Sequence, residues 1–209
     1  MASARLKANF PEFQDKLTIH WRAYPLDVIN GQPLPRDIVD QEWPHVANEE
    51  PLAECRPWNN RGYPDSSYLA FEAYECAFAQ DPVKAFDFDY RIRRAFFFES
   101  RWIHLRNTLL EIAEEAGLEM KRFTEDFDNG RYKARVMIDC REALRMRDED
   151  GRPMTSPTLV LPDGEFYHNP FATEKTFNEY KVMIVLKPPE KTGEAAIEGY
   201  RDILRRALA

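Results

Sequence analysis

The sequence has only three cysteines, and no two of them lie at the spacing of a reactive dithiol. Cys55, Cys76 and Cys140 are far apart, whereas thiol–disulfide exchange uses a C-x-x-C pair and zinc sites gather ligands at short spacings. None of the four histidines shows a metal-binding spacing such as H-x-x-H: His20, His45, His104 and His168. We therefore expect neither a catalytic cysteine pair nor a metal site. Cys76 and Cys140 are expected to be buried, reduced thiols.

Long apolar runs and an excess of positive charge are also missing. No stretch reaches the roughly 18 apolar residues of a membrane-spanning helix, and residues 1–10 lack the apolar run of a secretory signal. The formal net charge is -7, whereas binding to nucleic-acid phosphates depends on clustered Lys and Arg. The sequence therefore predicts a cytoplasmic protein whose partners include neither a membrane nor a nucleic acid.

What the chain does contain is the composition of a folded protein. Hydrophobic residues make up 44% and charged residues 31% of the 209 positions, a balance typical of packed globular proteins. This length suffices for one substantial core that carries an insertion.

The first third of the chain predicts one strand and an irregular connection. Residues Leu17 to Tyr24 alternate between apolar and polar side chains, the two-residue period of a strand, and Pro25 ends the pattern. Prolines then recur as far as Pro64. Because proline interrupts regular structure, we expect residues 26–64 to carry at most short helices.

Residues 65–147 predict five helices. Asp65 or Ser66 can cap the first, and Asp81 followed by proline is a typical start for the second. Asn107 is the predicted cap of the third, which Gly117 ends. Apolar side chains at helical spacing continue from Met120 to Arg147 and indicate two more helices.

The remaining residues predict strands and a final helix. Thr158–Leu161 and Glu165–His168 flank a Pro-Asp-Gly turn, the pattern of a hairpin. Val182–Leu186 is an aliphatic run that predicts a buried strand. The final helix carries apolar side chains on one face: Ile197, Tyr200, Leu204 and Leu208.

Three segments resemble the DsbA-like family, which includes FrnE-type dithiol oxidoreductases and, more remotely, kappa-class glutathione transferases and 2-hydroxychromene-2-carboxylate isomerases. Thr18–Leu26 is similar to the second strand of that family and its exit. Asn107–Asp128 is similar to a pair of inserted helices, and Thr155–Val160 is similar to the loop that carries a cis-proline. The resemblance covers most of the chain.

The resemblance implies an α/β, thioredoxin-like fold with an inserted all-helical subdomain. It assigns residues 1–64 and 148–209 to an incomplete thioredoxin-like domain and residues 65–147 to the helical insertion. The reactive cysteines of the family precede a segment that Ala2–Lys7 resembles. The first strand and the C-x-x-C motif are therefore absent from the N-terminus of this sequence.

The missing first strand would leave its two neighbours in the sheet without a partner, so something else must satisfy their backbone groups. In one interpretation Met1 is an internal methionine of a longer natural protein. In a second, Val182–Leu186 supplies the strand. In a third, the chain departs from the fold or borrows a strand from a partner.

The function implied by the resemblance is that of a thiol–disulfide oxidoreductase-like protein without its own dithiol. Its partners would be protein or small-molecule thiols, with no cofactor. Thr155, Ser156 and Pro157 would bind substrate, and we expect the Ser156–Pro157 bond to be cis. The alternatives are a non-catalytic binding or scaffold protein of the same fold and a glutathione-dependent isomerase or transferase. A homo-oligomer is compatible with each.

Overall fold

The protein is a mixed α/β structure, seen in a computed structural model that describes residues 1–33, 35–147, 151 and 155–209. Within these ranges nine helices occur: α1 (Ala2–Phe13), α2 (Leu26–Asn30), α3 (Arg36–Glu49), α4 (Tyr68–Phe78), α5 (Pro82–Phe97), α6 (Arg106–Glu115), α7 (Met120–Asp128), α8 (Lys133–Ala143) and α9 (Gly193–Arg206). In the same ranges four strands form two antiparallel pairs: β1 (Thr158–Val160) with β2 (Phe166–His168), and β3 (Glu174–Phe177) with β4 (Met183–Lys187). The prediction that the chain combines helices and strands is confirmed.

The chain divides into two compact units. The first comprises Met1–Leu17, Pro35–Pro57 and Met154–Ala209, and the second comprises Thr18–Leu34 and Trp58–Pro153. The division predicted from the resemblance, 1–64 with 148–209 and 65–147, stays a prediction. Across the described residues, no helix has both the length and the apolar character required to cross a membrane.

The second unit contains the five helices that the sequence predicts between residues 65 and 147. The Asp81 carboxylate accepts hydrogen bonds from the backbone of Val83 and Lys84, and this caps α5 as expected. Gly117 has a φ of 70°, and Leu118 N donates to the carbonyl of Ala113 over 3.1 Å, which ends α6. The helices enclose a core that includes Tyr74, Phe88, Leu109, Ile112, Phe123 and Phe127.

The predicted cap at Asn107 is wrong by two residues. Helix α6 starts at Arg106, and the capping position belongs to Leu105, which has no side-chain cap. The Leu105 carbonyl accepts from Leu109 N over 3.2 Å. Burial of Leu109 in the core outweighs the better capping chemistry of Asn107. The helix therefore begins one residue before Asn107, and its capping position lies two residues before it.

Residues 18–25 lie in no helix or strand, so the strand predicted for Leu17–Tyr24 is wrong. Side chains of the helical unit take the place of a sheet partner. Trp21 N donates to the Tyr74 hydroxyl over 3.0 Å, and Ala23 N donates to Asp139 Oδ2 over 3.1 Å. The alternating pattern thus reflects a segment that packs on helices.

The prediction of at most short helices in residues 26–64 is also wrong, because α3 has 14 residues. Pro35 lies at the capping position, where proline does not interrupt the helix. Pro44 lies inside α3 and removes one N–H. Val39 and Trp43 are buried on the same helix face, and this packing outweighs the lost hydrogen bond.

The first unit is held together by contacts between α1, α9 and the end of α3. The side chain of Asn9 is buried and donates to the Arg5 and Ile197 carbonyls over 2.9 and 3.0 Å. Arg5 Nε lies 3.0 Å from Glu50 Oε2, and both side chains are almost completely buried. A buried ion pair of this kind joins α1 to the residue after α3.

The hairpin of β1 and β2 is confirmed, and the strand predicted at Val182–Leu186 exists as β4. Its predicted burial is wrong, because Ile184, Val185 and Leu186 are all exposed. Among the described residues β4 pairs only with β3. The interpretation in which this strand replaces the missing one next to the proline loop is therefore wrong.

A tight local turn explains why β4 pairs with β3. The Asn178 backbone N–H donates to the Val182 carbonyl over 3.1 Å. The Asn178 side chain accepts from the backbone of Tyr180 and Val182 over 3.0 and 2.9 Å. Closing a short loop costs little conformational entropy, so β4 pairs with the neighbouring β3 in preference to a strand that is distant in the sequence.

The open edge of β4 is partly blocked by a side-chain amide from α3. Gln41 Nε2 donates to the Lys181 carbonyl over 2.9 Å, and Gln41 Oε1 accepts from Met183 N over 3.1 Å. One amide thus satisfies two backbone groups as a neighbouring strand would. Blocking an exposed strand edge protects it from unwanted pairing.

Candidate functional site around Pro157

The three residues that the resemblance assigns to substrate binding lie directly before β1. The Ser156–Pro157 peptide bond is cis, as predicted. Thr155 and Ser156 are exposed, whereas Pro157 is half-buried. The loop is therefore accessible to solvent immediately before the strand begins.

The register of β1 and β2 determines which backbone groups of β1 remain open. Thr158 lies opposite His168, and Val160 lies opposite Phe166. Asn169 N donates to the Pro157 carbonyl, and Leu161 N donates to the Glu165 carbonyl, each over 2.8 Å. Hydrogen-bonded pairs alternate with non-hydrogen-bonded pairs in an antiparallel ladder.

It follows that the N–H and C=O groups of Thr158 and Val160 point away from β2. Among the described residues, no other strand pairs with β1 on that side. The Val160 side chain is 55% exposed. Unpaired backbone groups along such an edge can bind an added extended segment through main-chain hydrogen bonds.

The loop is closed by hydrogen bonds that no sequence pattern predicts. Thr158 Oγ1 donates to the Thr155 carbonyl over 2.6 Å and lies 2.9 Å from His168 Nδ1. The position of His168 opposite Thr158 follows from the predicted hairpin once its register is known. Its side chain therefore belongs to the candidate site, although no motif identified it.

A cavity of about 620 Å³ lies in the same unit, between β2, the loop that follows it and α9. The Phe171 ring lies against Gly199, where an added Cβ would come within 2.5 Å of the ring. Lys191 Nζ lies 4.7 Å from the centroid of the same ring. Charged residues of both signs line the cavity: Glu174, Lys187, Glu190, Lys191, Asp202 and Arg206. This mixture favours no single class of ligand.

The three thiols lie in surroundings that disfavour the thiolate. Burial, together with the carboxylate of Glu72, raises the pKa of Cys76 to about 12. Burial also raises the pKa of Cys140 and that of Cys55, which is half-buried. Thiol–disulfide exchange requires a thiolate. Because the pKa of each of the three thiols is raised, none has the reactivity of a redox cysteine.

Within the described ranges, no group of three or more His, Cys, Asp or Glu side chains is arranged to hold a metal ion. His20 has a different role in the second unit. Its ring stacks on Phe78 with centroids 3.9 Å apart, and Nε2 lies 3.1 Å from Glu75 Oε1. These contacts hold residues 18–25 against α4.

Glu72 is a buried acid in the second unit whose replacement tests the effect of burial on stability. Burial raises the pKa of Glu72, and nearby Lys133 lowers it only in part. The folded state therefore holds the proton more tightly than the unfolded chain, so wild-type stability falls as the pH rises through the folded pKa.

We expect E72Q to be more stable than wild type at neutral pH, by less than about 1 kcal/mol because Lys133 offsets part of the effect of burial. This gain should disappear below the pKa of an ordinary glutamate. Urea unfolding at acid and neutral pH measures it, with E114Q at an exposed glutamate of α6 as the control. A pH-independent difference between E72Q and wild type would contradict this assignment.

Among known proteins, no family model matches the chain and no curated protein matches it.

Proposed function

We propose that this chain is a DsbA-like, thioredoxin-fold protein that binds extended polypeptides bearing thiols or disulfides along the edge of β1. In this proposal Ser156 and Pro157 begin the binding edge, and Thr158 and Val160 continue it. The 209 residues would hold the substrate without themselves exchanging electrons with it. The resemblance of Asn107–Asp128 and Thr155–Val160 to the family is one support.

The observation that carries the proposal is the open backbone edge that follows the cis Ser156–Pro157 bond. Thr158 and Val160 direct their N–H and C=O groups away from β2, and no strand in the described part of the chain pairs with them. An extended peptide could pair with both residues in the same antiparallel or parallel manner as a strand. Main-chain pairing accommodates many sequences, which suits a protein whose partners are diverse thiols.

The state of the thiols supports binding rather than turnover. The pKa of Cys76 is raised to about 12, and those of Cys55 and Cys140 are also raised. A thiol that stays protonated attacks disulfides slowly. We therefore expect an insulin-reduction assay with the 209-residue protein and dithiothreitol to proceed at the rate of dithiothreitol alone. A clear acceleration would contradict the proposal.

The binding edge is tested by V160P. Proline removes the N–H of Val160 that faces the open edge, while the ladder to β2 keeps its hydrogen bonds because Val160 lies in a non-hydrogen-bonded pair. The matched control is V160T, which keeps the N–H and a β-branched side chain. The probe is a fluorescent ten-residue peptide of alternating apolar and polar residues with one central cysteine.

We expect fluorescence anisotropy to show binding by wild type and V160T, and about tenfold or greater weakening in V160P. Loss of one hydrogen bond accounts for roughly 1 kcal/mol, and the proline ring adds a steric clash with the incoming strand. Equal binding by V160P and V160T would rule out this edge. A peptide N-methylated at the residues facing β1 should bind as weakly to wild type as the ordinary peptide does to V160P.

A further inference from the structure

The cross-strand pair of Thr158 and His168 defines the proton position on the histidine ring. The two residues lie opposite each other in a non-hydrogen-bonded pair, where side chains approach most closely. His168 Nδ1 lies 2.9 Å from Thr158 Oγ1, and the same oxygen lies 2.6 Å from the Thr155 carbonyl. Both distances are those of hydrogen bonds.

A hydroxyl group has a single proton to donate. The Thr155 carbonyl can only accept, so the Thr158 hydroxyl donates its proton there. The remaining contact then requires His168 Nδ1 to carry a hydrogen and to donate it to Thr158 Oγ1. In the neutral ring this leaves Nε2 as an unprotonated acceptor.

The chain of hydrogen bonds runs from His168 through Thr158 to Thr155 and so spans the Ser156–Pro157 bond. The final acceptor is the carbonyl of Thr155, the residue before Ser156. The hydroxyl in the middle of the chain belongs to Thr158, the first residue of β1. Asn169 N, the residue after His168, holds the Pro157 carbonyl over 2.8 Å. The end of β2 therefore restrains the loop at two successive positions.

We propose that His168 is a positioning residue that holds the Thr155–Thr158 loop in the geometry needed to bind an extended polypeptide. This inference rests on the proposed function, because it assigns His168 a role at the same edge. His168 acts through Thr158 and need not touch the peptide. Without the Nδ1–H donor, Thr158 loses a partner, and the loop that begins the binding edge loses one of its restraints.

Four variants separate the hydrogen bond from the bulk of the side chains. H168A removes the donor, whereas H168N keeps an N–H close to the place of Nδ1. T158V removes the hydroxyl and keeps the branched shape, whereas T158S keeps the hydroxyl. The four variants change two positions on the hairpin, Thr158, which is half-buried, and His168, which is exposed. Circular dichroism verifies that each variant folds.

We expect H168A and T158V to bind the fluorescent peptide about three- to tenfold more weakly than wild type, the range for loss of one hydrogen bond. H168N and T158S should stay within about twofold. Unchanged binding in H168A and T158V, with wild type binding normally, overturns this inference alone. Absence of binding by wild type overturns the proposed function and this inference with it.

The tautomer provides a readout that is independent of the peptide. In alkaline buffer, where a histidine ring is neutral, ¹⁵N spectra of wild type should show His168 protonated at Nδ1 and unprotonated at Nε2. T158V should lose this preference, and T158S should retain it. Protonation at Nε2 in wild type would contradict the hydrogen-bond chain, whatever the peptide measurements show.

Discussion

Replacing Arg5 with methionine should lower the free energy of unfolding by about 3 to 5 kcal/mol, the usual effect of removing one partner of a buried ion pair. The Glu50 carboxylate is fully buried and lies 3.0 Å from Arg5 Nε. Methionine preserves most of the apolar stem but leaves that carboxylate without its cation. The guanidinium also lies over the Tyr200 ring, 5.6 Å from the centroid, and this contact is lost as well.

The double variant R5M/E50Q is the matched control. Glutamine has the shape of Glu50 and can still accept from Leu52 N, as Glu50 Oε1 does over 3.3 Å. Because no buried charge remains, the double variant should recover most of the lost stability. Urea unfolding followed by circular dichroism measures both. If R5M lowers the free energy of unfolding by less than about 1 kcal/mol, the Glu50 carboxylate does not depend on Arg5 to offset its buried charge.

Replacing Asp139 with alanine should destabilise the second unit by about 2 to 4 kcal/mol, since it removes several hydrogen bonds from one buried side chain. Asp139 is 1% exposed. It accepts from Ala23 N over 3.1 Å and from Arg22 Nε over 2.7 Å, and Arg135 Nε lies 3.4 Å away. The hydrogen bond between Arg22 and Asp139 raises the pKa of Arg22.

The conservative variant D139N distinguishes the charge from the hydrogen bond to Ala23. Asparagine keeps one oxygen of similar position, so it should cost about half as much as alanine. Amide hydrogen exchange at Ala23 provides the local readout, and it should become faster in D139A than in D139N. Unchanged exchange at Ala23 in D139A would show that another group holds residues 18–25 to α8.

The helices of residues 65–147 follow from local chemistry. Asp81 followed by proline determines the start of α5, and Gly117 with its positive φ determines the end of α6. The β1–β2 hairpin likewise depends on a turn of a few residues. Such features need only neighbouring side chains, and therefore one sequence is enough to predict them.

The errors concern segments whose structure depends on distant partners. The alternation in Leu17–Tyr24 has the period of a strand, but Tyr74 and Asp139 bind its backbone in place of a second strand. The prolines near α3 suggested a loop, but burial of Trp43 stabilises a helix. The spacing of apolar residues and the local composition do not specify which distant part of the chain a segment packs against.

By itself, the sequence determined the mixed α/β class, the helical run after residue 65 and the hairpin, because these helices and this turn depend on residues close together in the chain. The cis bond at Pro157 was expected instead from the resemblance of Thr155–Val160 to a family loop, and the structure confirms it. Only the tertiary structure decided that β4 is exposed, that Glu50 neutralises Arg5, and that His168 donates to the proline loop. These features depend on register and on contacts between distant residues, where burial and hydrogen-bond satisfaction outweigh local preference.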